Sequence, residues 1–243
     1  IHAHSNHEGM IPVMTAVGGE KTNAIPLSGK QNVILTSVSD FYFWKALKGY
    51  ITDLDLNAIN LIPAFDADKV EQLVSLMISY GMEFQILLNH NNDGWKIGQQ
   101  LKEKFGFGDE KIIFVSEKLG YFTEDLFERE DFNNHVLTGD KNENLDVLNS
   151  IYLKNNSRNK VLLARGFHDK VERQKIKVIL SDKTIIAFRN VFEKILSRFH
   201  ALTEIAEEKS DSGESEDKAE KSKLPEGQTK RRSLFAFLNK KII

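Results

Sequence analysis

Between Gln31 and Ser116, short apolar runs alternate with longer stretches in which apolar residues recur every three or four positions. Four runs, Asn32–Thr36 (NVILT), Ala58–Pro63 (AINLIP), Glu83–Leu88 (EFQILL) and Lys111–Val115 (KIIFV), are too short and too continuously apolar for half-exposed strands. They predict strands covered on both faces, the habit of a parallel sheet. The stretches between them, Asp40–Gly49, Ala67–Tyr80 and Trp95–Phe105, predict helices. In the second of these, Val70, Leu73, Val74, Met77 and Ile78 form a stripe that stops at Tyr80-Gly81, where a glycine can take the left-handed conformation that ends a helix. Met77 is read as packing, since a flexible thioether fills irregular core gaps. The pattern is that of consecutive βα units wound around a parallel sheet.

After Ser116 the alternation stops, and Glu124–Val136, Asn144–Lys154, Lys170–Leu180 and Lys183–Ile205 are predicted as helices. The fold class is therefore α/β: a Rossmann-like parallel sheet of about four strands flanked by helices, followed by a helical C-terminal half. Five segments result: 1–29, 30–140, 141–206, 207–228 and 229–243. The fourth is rich in Glu, Lys, Ser, Asp and Gly and cannot offset the entropy of ordering, so it is predicted to be a disordered acidic linker. The fifth joins Lys230-Arg231-Arg232 to Leu234, Phe235, Phe237 and Leu238, a composition suited to an anionic surface, a nucleic-acid backbone or a partner groove, or to docking on its own domain. No repeat of 20 to 50 residues is present.

An apolar fraction of 41% supports a buried core. The formal charge of −2 removes any global basic field, so contact with nucleic acid has to be local. With no cysteine, disulfide frameworks, thiolate zinc sites and cysteine nucleophiles are excluded. No apolar stretch approaches the ~20 residues of a transmembrane helix, and the first residues, Ile1-His2-Ala3-His4-Ser5-Asn6, lack the zones of a signal peptide. The cytoplasm is the expected location, and a first residue other than Met points to a fragment or processed chain.

Ligands of open parallel sheets gather at the carboxyl ends of the strands. Those ends read Thr36-Ser37-Val38-Ser39-Asp40 and Asn89-His90-Asn91-Asn92-Asp93-Gly94, and Phe122-Thr123-Glu124-Asp125 follows the fourth strand. Taken singly, each segment has an ordinary role. Asp40 suits a helix N-cap, Glu124 and Asp125 the first turn of a helix, Asn92-Asp93-Gly94 a turn, and Asn89 and Asn91 the backbone groups of a loop. Their joint placement makes them candidates for a metal site.

The order of these segments resembles the TOPRIM domain of overcoming-lysogenisation-defect (OLD) family nucleases. There an E-G-x-x-D strand end, a D-x-D-x-x-G strand end and a later E-D-L segment gather divalent metal. The likeness extends to Phe41-Tyr42-Phe43-Trp44-Lys45-Ala46-Leu47 and Ile62-Pro63-Ala64, and spans roughly Lys30 to Val136. The resemblance implies phosphodiester cleavage of DNA with Mg²⁺ or Mn²⁺, an ATPase head or partner protein, a homodimer, and a part in phage defence. It makes Thr36, Asp40, Asn89, Asn91 and Glu124 the candidate metal positions, and Asp40, Asp93, Glu124 and Asp125 the candidate catalytic carboxylates. Asp93 would stand in for a lost acid.

Departures from that pattern bear directly on activity. Thr36 stands where the family has Glu, Ser37 where it has Gly, and Asn89 and Asn91 where it has Asp. Two Mg²⁺ ions need several formal negative charges close by, and Thr and Asn supply oxygen without charge and cannot act as a base. The resemblance therefore implies a weakened or inactive nuclease. The alternative is a non-catalytic TOPRIM scaffold that engages a partner.

The N-terminal His2-Ala3-His4-Ser5 with His7 has the spacing of a PHP-type metal phosphoesterase, a minor alternative, but the other histidines are scattered. It also resembles the T-T-H-S-P strand end of the ABC-type ATPase head that precedes TOPRIM, which would make 1–29 a remnant of that head or a connection from it. No G-x-x-x-x-G-K-[ST] is present, so no ATP site is expected in this chain. Finally, Arg165, Lys170, Arg173, Lys175 and Lys177 are candidate backbone clamps, although the more ordinary role of such alternating charges is a solvated helix face.

Overall fold

The computed structural model describes residues 31–199, apart from 66, 140, 145 and 174–177. The segments 1–29, 207–228 and 229–243 lie outside the described residues. Strands β1 (Gln31–Leu35), β2 (Ile59–Pro63), β3 (Phe84–Leu88) and β4 (Ile112–Phe114) form one sheet in the order β2-β1-β3-β4. Every pairing is parallel, with Leu35 opposite both Pro63 and Leu87, and Leu88 opposite Phe114. Helices α1 (Val38–Tyr50), α2 (Ala67–Ser79) and α3 (Asn92–Phe105) make the crossovers. The fold is thus α/β with a four-stranded parallel sheet flanked by helices.

Alternation along β1 sends Val33 and Leu35 to one face and Ile34 to the other, all fully buried. Ile34, Ile62, Ile86 and Leu88 pack with the α2 stripe of Val70, Leu73, Val74 and Met77. Val33, Leu35, Leu87 and Ile113 pack instead with α1 and the C-terminal helices, around Phe43, Trp44, Phe167, Phe188 and Phe192. These helices are α4 (Asn149–Asn155), α5 (Lys160–Arg173) and α6 (residues 182–199). The Trp44 ring meets Phe188 and Phe192 edge-on at 5.0 and 5.1 Å, joining α1 to α6. The Gln85 side chain, buried in β3, donates to the Ile195 carbonyl at 3.2 Å.

Strands and crossovers lie close to where the hydrophobic pattern puts them, whereas the second half requires corrections. Glu124–Val136 is not one helix. A 3-10 turn, Thr123–Leu126, gives way to extended backbone at Phe127, then to a short helical turn, Arg129–Asp131, and a π-helical segment, Phe132–Val136. Asp125 stops a helix here by spending both oxygens on backbone groups, Phe122 N at 2.9 Å and Ser150 N at 2.8 Å.

The helix expected over Asn144–Lys154 begins only at Asn149, because the Asn144 and Val147 carbonyls accept from Arg129. The helix expected over Lys170–Leu180 begins earlier than expected, and residues 174–177 lie outside the described residues. Its real span starts at Lys160, where the Asn159 side chain accepts from Leu162 N at 3.1 Å, and 178–181 are not helical. The last helix starts close to its expected position. Ser181 accepts from Thr184 N, while the Asp131 carboxylate accepts from Ser181 N at 2.9 Å and Ser181 Oγ at 2.7 Å. Among the described residues no helix is long and apolar enough to cross a membrane.

Candidate functional site

In this strand order the chain direction across the sheet reverses between β1 and β3, and the crevice beyond their carboxyl ends is where an open α/β sheet binds ligands. Thr36, Ser37 and Asp40 leave β1, and Asn89 leaves β3. Asn89 is held by a close approach of helix and strand. A Cβ on Gly94, in the first turn of α3, would fall 2.0 Å from the Asn89 carbonyl oxygen.

Asp40 is the hub of the site. Its Oδ2 accepts from Ser37 Oγ at 2.7 Å, Thr36 Oγ1 at 3.0 Å and Asn89 Nδ2 at 3.3 Å. Its backbone N–H donates to Ser37 Oγ at 3.1 Å, so the helix N-cap is Ser37 and the Asp40 carboxylate is left to the site. The Asn89 amide is oriented by the backbone N–H of Thr123, which donates to Asn89 Oδ1 at 2.9 Å. Thr123 Oγ1 in turn accepts from Trp44 Nε1 at 3.3 Å. A chain of contacts thus runs from the aromatic core through Trp44 and Thr123 to Asn89 and Asp40.

Lys160, in the first turn of α5, completes the cluster. Its ammonium lies 2.6 Å from Glu124 Oε2 and 3.7 Å from Asp40 Oδ1, with the two carboxyl side chains only 3% and 4% exposed. Asp40 Oδ1 and Glu124 Oε2 are buried, take no hydrogen bond from a neighbouring amide or hydroxyl, and lie nearest the ammonium. The same cation lies over the Phe122 ring, 5.5 Å from its centroid. The first turn of a helix disfavours positive charge, so Lys160 is held there by the carboxylates and not by the helix.

Ionisation in this cluster follows from burial and from Lys160. Burial pushes Asp40 up, but Lys160 together with the hydroxyls of Ser37, Thr123 and Thr36 outweighs it, and the carboxyl sits below its ordinary value of 3.8. Glu124 has fewer donors. Burial raises it to about 7 against the pull of Lys160, with Asp40 adding repulsion. For Lys160, burial works against the charged form, but Asp40 and Glu124 prevail and raise it to about 12. At neutral pH the cluster therefore holds an ionised Asp40, an ammonium, and a Glu124 near its titration midpoint.

The pH dependence of stability follows from these shifts. A carboxyl raised in the fold contributes stability that is complete below its unfolded value and lost as pH rises through the folded one. For Glu124 that window runs from 4.5 to about 7. Asp40 has the opposite sign: its contribution is present above 3.8 and is lost as pH falls through its lowered value. Glu124→Gln is expected to lessen the fall in stability between about pH 4.5 and 7, seen as a shallower decline of the chemical-unfolding midpoint than in the parent, with Asp125 supplying a remainder. An unchanged decline in the variant would assign it to other groups.

Of the residues singled out from the sequence, the structure brings together Thr36, Asp40, Asn89 and Glu124. It does not bring in the other three. Asn91 is the N-cap of α3, its side chain accepting from Gly94 N at 2.7 Å. Asp93 is exposed on the first turn of that helix. Asp125 is committed to the backbone of Phe122 and Ser150, and burial raises its carboxyl. Two members were missed. Lys160 is one of 33 basic residues with no local pattern around it, and Thr123 is a buried hydroxyl in the segment read for its acids.

The cluster does not fit a two-metal centre. Asn89 Oδ1 already accepts from the Thr123 N–H at 2.9 Å and from Thr123 Oγ1 at 3.4 Å, and Thr36 is a neutral hydroxyl that donates to Asp40 and accepts from Asn89, so neither supplies charge to an ion held by Asp40 and Glu124. What remains is two carboxylates with an ammonium between them, far short of the negative charge that a pair of divalent ions requires.

Beside the cluster, a cavity of about 400 Å³ is lined by Phe122, Glu124, Ser150, Lys154, Arg158 and Lys160 among others. Lys160 is paired with Glu124 here, and Lys154 and Arg158 add basic charge that suits an anion.

The fold and the placement of the cluster define an open parallel α/β protein with a strand-end site. No protein-family model matches the sequence, and no curated protein matches it. Among solved structures the chain is similar to the C-terminal region of the Burkholderia pseudomallei OLD protein, at 12% identity over 68% of this chain and 96% of that one, with a TM-score of 0.46.

Proposed function

We propose that this chain is a nuclease-like module of the OLD type, TOPRIM in architecture, in which metal-dependent cleavage is weakened or lost because Lys160 takes the place of divalent metal. The observation that supports this is the Lys160 ammonium, 2.6 Å from Glu124 and 3.7 Å from Asp40 at the carboxyl ends of β1 and β3. In such a site a buried lysine neutralises the carboxylates without providing the open coordination positions or the activated water of a metal.

In this reading DNA binds through its phosphates at the basic side of the cavity, at Lys154 and Arg158. The contact is with the backbone and is therefore independent of sequence and weakened by salt. Asp40 and its ring of donors hold the lysine in place and leave no general base at Thr36, Asn89 or Asn91.

A plasmid-nicking assay with Mg²⁺ and with Mn²⁺ tests the proposal, run on the parent chain and on Asp40→Asn. The expected result is no nicking above the metal-free control in either protein, with plasmid retardation that falls as salt is raised. Nicking by the parent that is lost in Asp40→Asn would overturn it.

A further inference from the structure

Helix α5 carries a second group of potential ligands two turns beyond Lys160. His168, Asp169 and Glu172 each present one ligand atom, and the three atoms lie within 4.8 Å of one another. His168 and Glu172 are one helical turn apart and share a face, while Asp169 is the next residue round. Eight to twelve residues along the helix from Lys160, at about 1.5 Å per residue, the group is about 12–18 Å from the strand-end cluster.

His168 separates this group from an ordinary patch of surface acids. Its side chain is only 7% exposed, and its ring packs against Tyr42 of α1 at 5.6 Å between centroids. Nδ1 is buried with no hydrogen-bond partner, and it points at the two carboxylates, 3.5 Å from Asp169 Oδ1 and 3.8 Å from Glu172 Oε2. A buried ring nitrogen ordinarily finds a partner. Here the separations are longer than a hydrogen bond and close to the spacing of ligand atoms around one ion. Zinc bonds of about 2.0–2.2 Å to nitrogen and oxygen place tetrahedral ligands about 3.3–3.6 Å apart.

Nearby cations leave the site open. Lys170 donates to the His135 carbonyl at 2.8 Å, and the Arg173 guanidinium approaches the other oxygen of Asp169, at 3.9 Å.

We propose that His168, Asp169 and Glu172 bind a divalent transition-metal ion of the zinc class, with solvent completing the shell. One imidazole and two carboxylates suit such an ion better than Mg²⁺, which prefers oxygen alone. His168 takes part as the neutral tautomer with its proton on Nε2, and the ion fixes the last turns of α5 against Tyr42. The site is independent of Lys160 and of the proposed function.

The test is a ZnCl₂ titration by calorimetry on the full chain carrying His2→Ala, His4→Ala and His7→Ala, so that the N-terminal histidines do not compete. His168 is buried and its removal would disturb packing, so the test relies on the more exposed Asp169 and Glu172. One zinc per chain is expected, with affinity falling at least about tenfold in Asp169→Asn and in Glu172→Gln while circular dichroism is unchanged. Zinc should also raise the thermal midpoint of the parent and not of the variants. No saturable binding at about 100 µM zinc, or binding unaltered by both substitutions, would overturn the proposal.

Discussion

Lys160→Met is expected to destabilise the protein by about 3–5 kcal/mol at neutral pH, as measured by urea unfolding. Methionine matches the length of lysine, so packing is roughly kept and the loss is electrostatic. Removing the ammonium leaves Asp40 and Glu124 nearly fully buried without a cation. Glu124 can take a proton, since burial already raises it to about 7. Asp40 cannot do so cheaply, because its donors from Thr36, Ser37 and Asn89 are arranged for an anion. The penalty should therefore shrink below about pH 5, where Glu124 is protonated in parent and variant alike. A loss under about 1 kcal/mol at neutral pH would mean that the carboxylates do not depend on Lys160.

Trp44→Ala is expected to cost about 3–5 kcal/mol, the range for truncating a fully buried aromatic residue. Trp44 is wholly inaccessible, stacks edge-on against Phe188 and Phe192, and donates its indole N–H to Thr123. The substitution opens a cavity between α1 and α6 and also frees Thr123, which orients the Asn89 amide. Trp44→Phe should recover much of the packing but not the donor. Equilibrium unfolding of both variants separates the two contributions, and a Trp44→Ala loss below about 1 kcal/mol would show that Trp44 does not tie α6 to the sheet.

The parallel sheet was legible in the chain because covered strands read as short apolar runs and the α2 stripe of Val70, Leu73, Val74 and Met77 has a clear helical period. The second half was less legible for local reasons. Glu124 to Val136 has helix-forming composition, but the long-range bonds of Asp125 to Ser150, and of Asp131 to Ser181, hold it in a different path. Helix α5 did leave a signal, with Leu163, Phe167 and Val171 four residues apart, but Gly166 and the charged residues around it obscured the period.

The candidate site was partly readable for the same reason. Asp40, Thr36, Asn89 and Glu124 sit at strand ends or in the segment that follows the sheet, positions that the βα pattern itself marks. Asn91 and Asp93 follow Asn89 within four residues, but as the N-cap and a first-turn residue of α3 they face helix and solvent. Lys160 could not be found from local pattern. Its meaning depends on a contact across 120 residues with Asp40 and 36 with Glu124, which only the packing of α5 on α1 creates.

In the proposed function an ammonium, not a divalent metal, neutralises the carboxylates at the strand ends. The most direct test is calorimetric titration of the parent chain with Mg²⁺, a hard ion suited to carboxylates and poorly suited to the His168 group. No saturable binding is expected up to about 10 mM Mg²⁺. Saturable binding that disappears in both Asp40→Asn and Glu124→Gln would contradict it, and would mean that Lys160 yields its place to metal.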